Sequence, residues 1–267
     1  MKPTLAFAVG ILIAGVASAQ PVISAGGIVN GASFASGQGV APGSIVSIFG
    51  TGFASKIAPA DTVPLTSSLG GVSVTFNKEP MPLFFVSAGQ INAQVPWNIP
   101  ANGPQSVVVT NGSVASAPVM ATVIPSAPGI FTLNSGTGPA IVQNNSDGTF
   151  AWAPGTVPAL MTHPAKIGDF IIIYANSMGA VDRAVVDGSR PPSGALSHTV
   201  TQPVILLGGV AVPAANVAFS GLNPNFVALY QINVQIPSGT PTGNQVSLQV
   251  QMGGITSTNK AFIAVSQ

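Results

Sequence analysis

The chain has 267 residues, of which 46% are hydrophobic and 5% are charged, against roughly a quarter charged in an average globular protein. Seven Lys and Arg face six Asp and Glu, so there is no basic stripe to bind nucleic acid or an anionic membrane surface. The chain has no cysteine, which excludes disulfides and thiol chemistry.

The first residues have the layout of a secretory signal peptide. Lys2 precedes an apolar stretch over 5–16, and Ala17-Ser18-Ala19 supplies the small side chains that signal peptidase accepts. The alternative, a membrane anchor, is disfavoured because this stretch is short for about 30 Å of hydrocarbon. The sequence therefore predicts a signal peptide at 1–19. The mature protein, beginning at Gln20, is expected to have no membrane span and to be extracytoplasmic, whether secreted, at the cell surface or in the periplasm.

The mature chain has the pattern of an all-β protein. Its glycines and prolines are spread along the sequence and separate short apolar runs, which is typical of many strands joined by turns. No helical period lasts beyond about three turns. Strand spacing predicts sandwiches of about seven strands each.

Four blocks occur twice in the same order, which indicates two copies of one unit. The clearest is Gln-Ile-Asn-x-Gln-x-Pro, and the paired ranges are 42–50 with 167–175, 70–74 with 208–212, 90–96 with 231–237, and 105–116 with 246–257. The copies predict two sandwiches, 20–125 and 126–267. In the last block Asn111-Gly112 predicts a hairpin with a type I′ turn, and Gly253-Gly254 takes its place in the second copy.

The repeated blocks resemble an uncharacterised family of exported acidobacterial proteins, the Solibacter-type C-terminal domain, which is similar to TIG/IPT-type immunoglobulin-like domains. The resemblance covers nearly the whole mature chain and is carried by residues 40–50, 69–74, 90–96, 127–131 and 230–235. It implies two tandem Ig-like β-sandwiches and an extracytoplasmic setting. It implies no activity, because the family has no established catalytic or binding residues.

The ionisable side chains do not form a recognisable catalytic set. Asp182 and Asp187 are close in sequence, but two arginines in the same loop favour surface ion pairs over a glycosidase pair. The chain lacks a Gly-x-Ser-x-Gly nucleophile elbow. His163 and His198 have no partner nearby in sequence, so we predict surface histidines. The sequence thus predicts neither an enzyme nor a cofactor.

Metal-binding patterns are weak. Two histidines without cysteine do not make a zinc site. Asn144–Gly148 and the loop over 182–187 offer oxygen atoms to calcium, but the first lacks the ligand spacing of an EF-hand. Asn, Asp and Gly are also typical of ordinary turns. We therefore predict no metal site.

Two amide strips are the candidate binding features. Each places three amide side chains on one face of a strand by period-two alternation, and they are Gln90, Asn92 and Gln94 in the first copy and Gln231, Asn233 and Gln235 in the second. Amides can both donate to and accept from sugar hydroxyls. The alternative is a solvated sheet face, or amides that hold a neighbouring loop.

Trp97 follows the first strip and either offers an aromatic platform to a sugar ring or covers the end of a sandwich. The sequence as a whole favours a non-catalytic interaction or structural protein, which associates with itself or with a protein partner. The alternative is a carbohydrate-binding module for a neutral polysaccharide, acting through the amide strips and Trp97.

Overall fold

The structure, a computed structural model, describes residues 20–267, so the predicted signal peptide lies outside the described residues. Regular structure in this range is β-strand apart from a short 3₁₀ helix, Ala214–Asn216. Four sheets form two sandwiches that follow one another along the chain. The predicted all-β fold of two tandem Ig-like sandwiches is confirmed.

The first sandwich contains two sheets, each built from long and short strands. Its strands are β1 (Val22–Asn30), β2 (Ile45–Thr51), β3 (Ala58–Pro59), β4 (Ser68–Leu69), β5 (Val72–Phe76), β6 (Glu79–Pro80), β7 (Leu83–Val86), β8 (Gln90–Gln94), β9 (Gly103–Asn111), β10 (Val114–Ala115) and β11 (Val119–Val123). One sheet has the order β1-β2-β8-β7-β3. The other is built on β9, which pairs with β5, β10 and β11, while β4 and β6 pair with β5.

The second sandwich repeats this plan with added edge strands. Its strands are β12 (Gly129–Ile130), β13 (Thr132–Asn134), β14 (Thr137–Ala140), β15 (Val142–Asn144), β16 (Ala165–Lys166), β17 (Phe170–Asn176), β18 (Val204–Leu207), β19 (Val210–Ala211), β20 (Val217–Leu222), β21 (Tyr230–Gln235), β22 (Gly243–Met252), β23 (Ile255–Thr256) and β24 (Lys260–Ser266). One sheet has the order β12-β17-β21-β20 with β15 on β17. The other has the order β13-β14-β24-β22-β18-β19, with β16 on β24 and β23 on β22.

Each sandwich has its own core. The buried apolar side chains of the first come from residues 23–123 and those of the second from residues 130–265. In β8, Ile91, Ala93 and the following Val95 are fully buried, as the alternation predicts. Complete burial of one such aliphatic side chain contributes about 1.5–3 kcal/mol, so these alternating strands anchor the sheets.

Matching backbone hydrogen bonds support the first repeated pair of blocks. Gly43 N–H donates to the carbonyl of Val95 at 2.9 Å, and Gly168 N–H donates to the carbonyl of Ile236 at the same distance. Both glycines have positive φ, 74° and 93°. The two copies therefore enter β2 and β17 through the same turn.

A buried serine repeats in the last pair of blocks. The hydroxyl of Ser116 accepts the N–H of Val109 at 3.1 Å, and that of Ser257 accepts the N–H of Val250 at 3.1 Å. Each hydroxyl takes the place of a backbone carbonyl as the acceptor, close to the hairpin at the end of the long strand β9 or β22. The same local solution at both positions is strong evidence of duplication.

The predicted pairing of 70–74 with 208–212 is wrong. Gly208 N–H donates to the carbonyl of Ser247. In the first sandwich the residue equivalent to Ser247 is Ser106, and its carbonyl accepts the N–H of Asn77. The turn Gly208-Gly209 therefore corresponds to Asn77-Lys78, where both φ values are also positive. Glycine and asparagine both tolerate positive φ, so one turn can carry different residues in the two copies.

The hairpin predicted at Asn111-Gly112 forms, but its turn lies one residue later. Asn111 pairs with Val114, so the loop residues are Gly112 and Ser113. Positive φ occurs at Gly112 alone, at 60°, which is the pattern of a type II′ turn. The turn at Gly253-Gly254 has positive φ at both residues, as a type I′ turn requires.

Two buried asparagines join the sandwiches. Asn30, at the end of β1, donates through Nδ2 to the carbonyl of Ala127 at 2.8 Å and to Ser177 Oγ at 3.1 Å. Its Oδ1 accepts Nδ2 of Asn176 at 2.9 Å. Asn176 in turn pairs with both backbone groups of Ile45, its Oδ1 accepting at 2.9 Å and its Nδ2 donating at 2.7 Å. This amide seam fixes how β1 and β2 meet β17.

A third amide extends the seam. Asn259 Oδ1 accepts the N–H of Ile130 at 2.8 Å, and its Nδ2 lies 3.3 Å from the carbonyl of Ala32 in the first sandwich. Gln38 Nε2 donates to the carbonyl of Pro128 at 3.3 Å. The short connection between the sandwiches is thus hydrogen-bonded along its length.

We expect Asn30→Ala to lower the free energy of unfolding by roughly 3 kcal/mol, because it leaves buried partners of both sandwiches unpaired at about 1–3 kcal/mol each. Urea denaturation of the mature protein measures the change. Asn145→Ala is the matched control, since Asn145 is exposed in a turn and its loss should cost within about 0.5 kcal/mol. Equal effects of the two substitutions would contradict a structural role for the seam.

Candidate functional site

The first amide strip is tied into its own sheet. Asn92 Oδ1 accepts Gln90 Nε2 at 2.9 Å and Ser47 Oγ at 3.0 Å. Gln90 and Asn92 are half-buried on the outward face of β8, as the alternation predicts. Since the carbonyl of Asn92 already has two donors, the groups this strip offers to a ligand are mainly N–H donors.

Gln94, the third member of the strip, is fully buried. Its Oε1 accepts the N–H of Gly188 at 2.7 Å, from a loop of the second sandwich that we call the clasp loop (residues 182–190). The carbonyl of Gly188, in the same loop, also accepts the N–H of Leu65 at 2.8 Å. Gln94 therefore holds the two sandwiches together and does not present its amide to solvent.

Gly188 is required by this contact. Its φ is +74°, and a Cβ built there would lie 2.7 Å from the carbonyl oxygen of Leu65. A side chain would thus have to push the clasp loop away from the first sandwich. The sequence showed this loop as the most charged segment of the chain, which suggested a solvated surface loop.

Trp97 lies at the same joint. Its backbone N–H donates to Asp187 Oδ1 at 2.9 Å, and its ring packs against the core of the second sandwich. A Cβ at Gly43 would fall 2.3 Å from the ring carbons, so the indole lies directly on the Gly43 backbone. Of the two interpretations of Trp97, this placement favours the structural one.

The joint leaves a cleft of about 460 Å³ between the sandwiches. Both sandwiches and their connection contribute to its lining, which includes Trp97, Pro125, Met178, Val200 and Ile255. Burial raises the pKa of Asp187, while the N–H of Trp97 opposes that effect and the charge of Glu79 adds to it. Asp187 is therefore a carboxylate with a raised pKa, but its Oδ1 is occupied by a backbone donor.

The second amide strip lines an open groove of about 410 Å³. Asn223 Nδ2 donates to Gln231 Oε1 at 2.7 Å, and Gln231 Nε2 donates to Asn233 Oδ1 at 2.7 Å. Each amide in this series donates to the next, so the series ends with the amide N–H groups of Asn233. Gln235 lies outside the groove and donates to the carbonyl of Gly168 at 2.9 Å.

Apolar and aromatic side chains share that groove. Phe219 and His198 meet edge to face with ring centroids 5.3 Å apart, and Leu196 is 48% exposed. Leu196, Pro224 and Asn225 also line a neighbouring depression of about 640 Å³, so the groove and this depression adjoin. Amides beside a flat apolar ring suit a ligand of neutral, hydroxyl-rich units.

Both histidines are partly exposed, with side-chain accessibilities of 42% and 52%, and each has a carboxylate partner that the sequence did not indicate. His163 Nε2 lies 2.9 Å from Asp147 Oδ2, and His198 Nδ1 lies 3.4 Å from Asp182 Oδ2. Each pair joins residues 16 positions apart, so no short motif reveals it. The ion pairs predicted between the aspartates and arginines of the clasp loop are absent from residues 20–267.

The turn considered for calcium is closed by its own hydrogen bonds. Asp147 Oδ1 accepts both the N–H and the hydroxyl of Thr149, at 3.0 and 2.8 Å, and Oδ2 faces His163. Among the described residues no three His, Cys, Asp or Glu side chains cluster as metal ligands would. Nor does any helix between residues 20 and 267 have the length and apolar character to cross a bilayer.

Comparison with known families identifies part of the chain. Residues 29–123 match the family model of the IPT/TIG domain, which covers most of the first sandwich. The match supports the Ig-like part of the resemblance, and the acidobacterial family stays a prediction. No curated protein sequence matches the chain.

The solved structures that match the chain are distant from it in sequence and in structure. The surface glycan-binding protein PbSGBP-B from Prevotella bryantii is 13% identical, with a TM-score of 0.29 over 82% of this chain and 36% of that one. The plexin A4 extracellular region is 12% identical, with a TM-score of 0.26 over 100% of this chain and 17% of that one. Domains 5-6 of the S-layer protein SbsC are 14% identical, with a TM-score of 0.28 over 92% and 98%. The chain thus spans little more than a third of the first structure and less of the second, and similarity at this level carries no functional argument.

We expect His163 to titrate above its ordinary pKa of 6.5, chiefly because Asp147 accepts its N–H. The same bond, with those from Thr149, lowers the pKa of Asp147 to about 2. The pair therefore stabilises the fold fully between the ordinary pKa of aspartate, 3.8, and that of histidine, 6.5. This contribution is lost as the pH rises through the raised pKa of His163 and as it falls through the lowered pKa of Asp147. Asp147→Asn should return the histidine pKa toward 6.5 in an NMR titration, whereas Asp61→Asn, an exposed carboxylate of the first sandwich, should leave it unchanged. A midpoint at or below 6.5 in the unaltered protein would refute the pairing.

Proposed function

We propose that this protein works outside the cytoplasm as a non-catalytic interaction protein, exported by a signal peptide at 1–19. In this proposal the two Ig-like units are residues 20–125 and 126–267, and they act as one body. The observation that best supports this proposal is the amide seam, because Asn30 and Asn176 are fully buried and hydrogen-bonded to each other across the joint. A fixed joint suits a protein that presents surfaces in a constant relative orientation.

The exposed surface supports association with protein. Charged residues are 5% of the chain, so self-repulsion is weak. Large apolar side chains are exposed in both units, including Ile57 at 72%, Met161 at 85% and Val186 at 74%. Exposed apolar area without repelling charge favours contacts with a second copy or with another neutral surface.

We expect the mature protein, residues 20–267, to self-associate, so that its weight-average mass in sedimentation equilibrium rises with protein concentration. Adding two charges through Met161→Lys with Val186→Lys should lower that mass toward one chain. The control adds the same charges at exposed serines, Ser146→Lys with Ser193→Lys, and should change the mass little. A mass of one chain at every concentration would refute self-association.

A second candidate function is binding of a neutral polysaccharide in the groove of the second unit. The observation in its favour is that Gln231 and Asn233 line this groove together with Phe219 and His198. The series of amide donors that ends at Asn233 orients its free N–H groups before any ligand arrives, which limits the entropy lost on binding. Gln94 and Trp97 do not belong to this candidate site, because both lie at the joint.

We expect the mature protein to co-sediment with one of three insoluble polymers, cellulose, chitin or β-1,3-glucan, and not in a tube without polymer. Asn233→Ala should weaken retention about 5-fold, the effect of losing one hydrogen bond. Asn92→Ala is the matched control, since it removes the equivalent amide from the first unit. Equal losses in the two variants, or retention by none of the polymers, would refute the groove as a polysaccharide site.

A further inference from the structure

The depression that adjoins the groove of the second unit contains a positive charge. It is lined by residues 190–196 together with Pro224 and Asn225, and its volume is about 640 Å³. Arg190 is exposed, and neither of the two ion pairs found between residues 20 and 267 involves its side chain. A guanidinium keeps its charge at any pH that a protein meets, so Arg190 offers this charge to a ligand.

The backbone of Arg190 is fixed by its neighbours in the chain. Gly188, two residues earlier, donates its N–H to Gln94 Oε1 at 2.7 Å within the joint. Pro191, the next residue, is buried, and a proline restricts the residue before it to extended conformations. The exposed side chain therefore projects from a fixed point of the clasp loop, which limits the entropy lost when it binds a ligand.

The carboxylates of the clasp loop do not neutralise this charge. Asp182 Oδ2 lies 3.4 Å from His198 Nδ1, beside the groove. Asp187 Oδ1 accepts the N–H of Trp97 at the joint. Within the described part of the chain, no aspartate or glutamate lines the depression or the groove. The depression therefore favours a ligand group with a negative charge.

The position and number of these groups limit the kind of ligand. The depression and the groove share Leu196, Pro224 and Asn225, so Arg190 lies next to the site that contains Asn233. A guanidinium pairs with a planar carboxylate through two parallel N–H···O bonds. Because the sequence has no basic stripe, one such group suits an isolated carboxylate better than a densely charged polyanion.

We propose that Arg190 binds the carboxylate of an acidic sugar unit, such as a uronic acid, in a polysaccharide whose neutral units lie in the groove at Asn233. The inference rests on the proposed polysaccharide-binding function and changes its ligand from a wholly neutral polymer to one with isolated carboxylates. Hydrogen bonds to an ionised group are stronger than those between neutral groups. Arg190 therefore contributes more to the choice of polymer than the amides do.

The test compares cellulose, chitin and β-1,3-glucan with samples of the same polymers in which a small share of the primary hydroxyls is oxidised to carboxylates. We expect the mature protein to bind the oxidised form about 10-fold more tightly, as charge-assisted hydrogen bonds predict. Arg190→Gln should abolish this preference. Arg183→Gln is the matched control, because it removes the same charge from an exposed position of the same loop that lines neither the depression nor the groove. The preference should also shrink as sodium chloride is added, because salt screens exposed charges.

The possible results separate this inference from the function on which it rests. Equal binding of the parent and oxidised polymers would overturn the role of Arg190 and leave the groove as a neutral site. Equal loss of the preference in Arg190→Gln and Arg183→Gln would reflect net charge and would also overturn it. Binding of the oxidised polymer that depends on Arg190 but survives Asn233→Ala would support the carboxylate site and overturn the groove. Retention by neither form of any polymer would overturn both.

Discussion

The joint between the sandwiches rests on amide side chains that are paired on both sides. Asn30 and Asn176 are fully buried, and together they occupy backbone groups at Ile45 and Ala127. A buried amide is costly unless its donors and acceptor find partners, and those of Asn30 and Asn176 all do, so few relative orientations of the sandwiches satisfy both residues. The cleft and the contacts of the clasp loop depend on this orientation, because residues of both sandwiches form them.

Docking gives the two copies of one sequence different roles. In the first copy the end of the Gln-Ile-Asn strand is covered, so that Gln94 and Trp97 serve the clasp loop. In the second copy the strand remains accessible, and Gln231 and Asn233 line a groove. An internal repeat thus carries the same backbone twice, while the neighbouring residues decide which copy has an amide strip that lines a groove.

The sequence predicts what depends on local pattern. Alternation identified the buried side of β8 through Ile91, Ala93 and Val95, and the repeat predicted two sandwiches. It could not predict that Gln94 is buried, because the covering group comes from Gly188, 94 positions away. The pairing of His198 with Asp182 and the equivalence of two turns with different residues were missed for related reasons. The first depends on a contact between distant parts of the chain and the second on backbone φ, and a periodic pattern of residues reveals neither.

The same amides explain how a chain with so few charges keeps a defined arrangement. Amides do not titrate near neutral pH, and neutral hydrogen bonds are little affected by salt screening. The seam of Asn30, Asn176 and Asn259 should therefore hold its geometry when acidity and ionic strength vary. In the clasp loop, protonation of Asp187 would weaken its bond to the N–H of Trp97, but the bond between Gln94 and Gly188 would be unaffected. Acid would thus weaken the contact between Trp97 and Asp187 before it affected the amide contacts of the joint.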